Sequence, residues 1–77
     1  MKIEIKVYSI EGSKFTIERL TNLLWVIRDR PFRVSRDGSI DIEPLPSNRT
    51  REWCEQHTFT LDEAKKMATE LKSEGLL

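Results

Sequence analysis

"FTIERLTNLLWVIRD", residues 15–29, decides the fold, because it reads in two ways. Wound as a helix, it gathers Ile17, Leu20, Leu23, Leu24 and Ile27 into one apolar stripe and leaves Glu18, Asn22 and Asp29 opposite. Laid out as strands, Phe15 and Ile17 face Ser9 and Val7 of an upstream strand, Thr16 faces Tyr8 and Glu18 faces Lys6, which is also chemically sensible. Leucine favours helix and the mid-segment Asn22 disfavours strand, so the helix is the reading adopted. In that reading Trp25 and Val26 fall outside the stripe, which puts Trp25 on an exposed surface.

Upstream, residues 2–8, "KIEIKVY", alternate apolar and polar groups with the period of a half-buried strand, Ile3, Ile5 and Val7 inward and Lys6 and Tyr8 outward. Glu11-Gly12-Ser13 then turns the chain. Downstream, Pro31 ends the central segment, since the residue before a proline is pushed out of helical geometry. "FRVSRDGSIDIEP", residues 32–44, predicts a hairpin over 32–42. A two-residue Asp37-Gly38 loop sets Val34 opposite Asp41, an apolar group beside a charge. A three-residue loop, Arg36-Asp37-Gly38, pairs Val34 with Ile40, Phe32 with Ile42 and Arg33 with Asp41. The second register buries the four apolar residues together, turns Arg33 and Asp41 outward and gives Gly38 the left-handed position.

Pro44 and Pro46 stiffen a connector over 43–47. Ser47 or Thr50 then caps a short helix carrying Trp53 and Cys54. Thr60 and Glu63 form a capping box for a helix over 61–74, with Leu61, Ala64, Ala68 and Leu71 as its buried stripe, Gly75 at the C-cap and Leu76 folding back on Leu71. The expected architecture is a small α+β domain spanning 1–77 in the order β-α-β-β-α-α. An antiparallel sheet, strand 2–8 plus hairpin 32–42, is packed by the C-terminal helix.

With 77 residues, the chain has room for one core and little room for a deep catalytic pocket. Its longest apolar run, Leu23 to Ile27, is far too short to cross a bilayer, and the pattern at residue 2 is a strand's, so neither membrane partner nor signal peptide is expected. A single cysteine, Cys54, forms no internal disulfide and points to a reducing cytoplasm.

Candidate chemistry is sparse. Cys54 and His57 have half the spacing of a zinc site, and no other cysteine or histidine completes it. As nucleophile and base the same two lack an evident third group to orient the histidine, so core filling is the simpler role for Cys54. Glycines are isolated, so no phosphate loop forms. No enzyme, metal or cofactor is expected.

Charge is the one uneven feature. Thirteen basic and thirteen acidic residues cancel overall, yet all the basic residues between 28 and 51 are arginines: Arg28, Arg30, Arg33, Arg36, Arg49 and Arg51. Arginine's planar fork suits carboxylate, phosphate and aromatic partners. Together with Trp25 these residues form the candidate contact set. Asp29, Asp37, Asp41 and Glu43 interleave with them and weaken a phosphate surface more than a protein surface. The expected function is therefore a non-enzymatic protein-binding module, a regulator or inhibitor that occludes a larger protein or complex, as phage-encoded inhibitors of host defence such as anti-CRISPR proteins do. The alternatives are a small nucleic-acid-binding regulator using the Arg28–Arg51 segment, and a homodimer.

Overall fold

The computed structural model describes residues 6–77, and the expected strand positions Ile3 and Ile5 lie outside the described residues. Five strands, β1 (Val7–Ser9), β2 (Thr16–Arg19), β3 (Trp25–Asp29), β4 (Phe32–Val34) and β5 (Ile40–Ile42), form one antiparallel sheet in chain order. A single 3-10 turn, Pro46–Asn48, leads to α1 (Arg51–Gln56) and α2 (Leu61–Ser73). The class is the expected one, a small α+β domain with an antiparallel sheet and a C-terminal helix.

The helix over 15–29 is corrected: the segment is the β2–β3 hairpin. Asn22 marks its turn, where its side-chain oxygen accepts from the Arg19 guanidinium at 2.6 Å, and the Leu20 N–H donates to Leu24 O at 2.9 Å. Thr16, Ile17, Val26 and Ile27 are β-branched and sit in the strands, where stiff side chains pack well. The order is thus five strands followed by two helices. Against β1 the register differs by one residue from the strand alternative, with Tyr8 opposite Ile17.

That shift also exchanges the faces of β1. Val7 is 53% exposed, whereas Tyr8 packs against the core and its ring lies 5.6 Å from that of Trp25. Paired residues share a face, so Tyr8, Ile17, Trp25, Ile27 and Val34 form one side of the sheet. Onto that side α2 lays Ala64, Ala68 and Leu71, and Phe59 completes the core. Trp25, expected at the surface, is only 6% exposed.

The hairpin register is as the sequence indicates, Phe32 with Ile42, Arg33 with Asp41 and Val34 with Ile40. Gly38 has φ of 88° in its loop. The faces differ from expectation. Of the four apolar residues only Val34 is buried, while Phe32, Ile40 and Ile42 lie at the sheet edge beyond α2, and Arg33 is buried under α1. Both helices carry the expected caps. Thr50 accepts from the Trp53 N–H, and Thr60 and Glu63 form the reciprocal capping box. Helix α2 ends at Ser73, and the Leu76 N–H donates to Leu71 O across Gly75 at φ 76°.

A Cβ at Gly38 would meet only Leu71 Cδ2 at 3.7 Å, so the penalty for a side chain there is one of backbone conformation. Gly38→Ala is expected to lower stability by about 1–2 kcal/mol, read from the denaturant midpoint with an unchanged slope. The Glu63 carboxyl is held below the usual glutamate range, first by the Thr60 N–H and then by Arg36. A depressed carboxyl contributes stability that is complete above its unfolded-state value and is lost as pH falls through its folded-state value. The melting difference between the wild type and Glu63→Gln is therefore expected at neutral pH and should vanish in acid.

Candidate functional site

On the side of the sheet away from α2, the strands carry Thr16, Glu18, Val26, Arg28, Arg33 and Asp41. Val26 is fully buried and lies outside the core cluster under α2, so this second side is covered as well. Helix α1 covers it. The Arg33 guanidinium lies 4.9 Å from the centre of the Trp53 ring, and Gln56 donates to the Ser35 hydroxyl at 2.9 Å. The result is a sheet between two helices, one apolar interface and one charged.

Glu43 organises the charged interface. Its carboxylate lies 3.3 Å from Arg28 Nε, 3.6 Å from Arg33 Nη1 and 3.1 Å from Arg49 Nη2. Arg49 also donates to the Pro44 carbonyl at 2.9 Å, which ties the proline connector to the same point. Glu18 approaches Arg28 at 3.9 Å. Arg33 is 2% exposed, and burial, only partly offset by Glu43, holds its pKa below the usual arginine value. Among the described residues, Arg28 Nε, Arg33 Nε and Glu43 Oε1 are buried without hydrogen-bond partners, so one carboxylate among three guanidiniums offsets their charge only in part and leaves two donors and an acceptor unsatisfied.

His57 closes this layer. Its ring stacks on Trp53 with centroids 4.0 Å apart, Nδ1 lies 2.6 Å from the Trp53 carbonyl and Nε2 lies 2.8 Å from Asp41 Oδ2. Asp41 is the orienting group that the sequence left undetected, because it comes from β5, 16 positions away. With both ring nitrogens held by acceptors, the imidazole is not directed at Cys54. Among the described residues no group of three His, Cys, Asp or Glu side chains is placed to hold a metal ion.

The expected arginine surface therefore divides. Arg28, Arg33 and Arg49 converge around a carboxylate, the first two buried and Arg49 half-buried at the margin. Arg36 turns to the other side, where it meets Glu63 at 3.3 Å and lies 5.6 Å over the Phe59 ring. Arg51 pairs with Glu55 along exposed α1, and Arg30 is exposed in the β3–β4 turn. Trp25 stands in the apolar core.

Comparison with protein-family models, with curated proteins and with solved structures finds no match.

An open groove of about 780 Å³ lies between β1 and α2. Tyr8, Ile10, Ile17 and Ala68 line it with mostly apolar surface, and Lys65 and Lys72 flank it. Lys65 Nζ rests 4.8 Å above the Tyr8 ring. The residue alternation gave no sign of this groove, because it turned Val7 rather than Tyr8 inward and left residues 15–29 as a helix.

Removing the charge at Glu43 leaves three guanidiniums without their shared carboxylate. Glu43→Gln is expected to destabilise the fold by about 3–5 kcal/mol, the usual consequence of breaking a buried ion pair. Glu55→Gln, which loses only the exposed pair with Arg51, should leave the melting temperature almost unchanged. Equal melting temperatures for the two variants would remove Glu43 from its central role.

Proposed function

We propose that the protein is a non-enzymatic protein-binding module, acting as a regulator or inhibitor by covering a surface of a larger protein. The observation that carries this reading is the open groove beside β1, an apolar concavity at a sheet edge with cations on its rim. Concave apolar surface with a few polar groups around it is the usual form of a recognition site. Further apolar side chains support docking. Leu20, Leu23 and Leu24 crowd the β2–β3 turn, and Phe32, Ile40 and Ile42 sit together at the β5 edge, all at least 37% exposed.

Nucleic-acid binding is the weaker reading. A phosphate contact releases counterions only where a cation is free to receive it. Within the Arg28–Arg51 segment, Arg28, Arg33 and Arg49 are engaged by Glu43, Arg36 by Glu63 and Arg51 by Glu55, which leaves Arg30 as its one arginine with no carboxylate at ion-pair distance among the described residues. Regulators and phage-encoded inhibitors of host defence are the kinds of protein in which such a module would serve, and occlusion needs no covalent chemistry.

Capture with the tagged protein from lysate of its source or host cell tests this reading. A stoichiometric protein partner is expected to persist after nuclease treatment and in about 0.5 M salt, where exposed electrostatics are largely screened. Partners that disappear with nuclease would transfer the function to nucleic acid. The Arg30→Glu, Arg36→Glu double variant should remain folded and retain the partner, whereas Arg33→Glu should fail to fold.

A further inference from the structure

We infer that the β1–α2 groove receives an extended segment of the partner protein, added as a sixth strand along β1, with alternate apolar side chains in the groove and a carboxylate at Lys65. This inference rests on the protein-binding reading and specifies its occupant.

Three observations carry it. The first is a free edge: β1 pairs only with β2 among the described residues. The Arg19 N–H donates to Lys6 O at 2.8 Å, so Lys6 and Arg19 form a hydrogen-bonded pair of the antiparallel ladder. Such pairs alternate, so Tyr8 and Ile17 form the next one, and the backbone groups of Val7 and Ser9 point away from β2. An added strand would satisfy those groups.

The second observation is shape. Successive strand residues point to opposite faces, so every other side chain of an added strand would enter the groove over Tyr8, Ile10 and Ala68, with α2 as the wall. Recognition of this kind takes affinity from main-chain hydrogen bonds and specificity from the pockets of alternate side chains.

The third is charge. Neither Lys65 nor Lys72 has a carboxylate within ion-pair distance among the described residues. Lys72 Nζ lies 3.5 Å from the Gly12 carbonyl, and Glu11 occupies that end of the groove. Lys65, over Tyr8, has only a ring face beneath it, so the partner's acidic group belongs at the Lys65 end. The two lysines are about 10 Å apart along the helix, roughly three strand residues, which matches the length of β1.

The test uses the full chain and two sets of short synthetic peptides that alternate valine with serine, one flanked by glutamate and the other by lysine. The glutamate set is expected to bind at least about tenfold more tightly, a difference that Lys65→Glu should reverse. On binding, hydrogen exchange should slow at the Val7 and Ser9 amides and not at amides of β5. Thr69→Trp, which fills the groove from an exposed helix position, should abolish peptide binding without lowering the melting temperature. Equal binding of both sets, or protection confined to β5, would overturn the inference. A captured protein partner retained by Thr69→Trp would leave the module reading standing and remove only the groove, whereas capture of no protein by the wild type would remove the reading itself.

Discussion

Everything in this fold depends on two backbone hydrogen bonds between residues 34 positions apart. The Trp25 N–H donates to Phe59 O at 2.7 Å, and the Phe59 N–H donates to Trp25 O at 2.8 Å. They hold the short stretch between the helices against the central strand at the point where β4 ends. The chain there passes from one side of the sheet to the other. His57 remains among the charged groups under α1, while Phe59 enters the apolar core under α2, each at most 3% exposed. Without that crossing a thin five-stranded sheet could cover one side and would leave the other to water.

The two interfaces it creates are held by different physics. Under α2 the contact is dispersion and water exclusion: alanines let the helix approach closely, and Ile27 and Val34 are wholly enclosed. Under α1 the helix has only six residues and no fully buried side chain, so apolar area cannot secure it. Trp53 instead lies against Arg33 and His57, and Glu43 offsets part of the charge below. A flat aromatic over guanidinium is well suited to this, because it shields the cation from water while still attracting it. The arrangement gives three of the six arginines between residues 28 and 51 a structural role around Glu43, two of them buried.

The parts of the fold legible in the sequence were those with a local cause. Thr60, Glu63 and Gly75 announce the last helix, and Asp37-Gly38 fixes the hairpin register, because capping and turn geometry act over a few residues. Residues 15–29 misled because leucines at the Leu20–Leu24 turn imitate a helical stripe, and only pairing with β1 and β4 reveals them as an apolar loop. Arg33 misled for a related reason. Alternation assigns a side chain to a face, but it does not say whether a second helix covers that face. Tertiary cover of this kind is invisible to periodicity, and so an arginine set that reads as one surface is divided, with Arg28 and Arg33 buried and Arg30, Arg36 and Arg51 exposed.

The sheet's meander order also bears on how the chain reaches this state. Every strand pairs with its neighbour in sequence, through turns of a few residues. Closure entropy rises slowly with loop length and is lowest for such short connections, so each hairpin can form with little search. The bridge from Trp25 to Phe59 is different in kind, since it must bring together segments separated by two further strands and a helix. The entropic cost of closure is therefore lowest for the hairpins of the sheet and highest for the bridge that seals both of its sides.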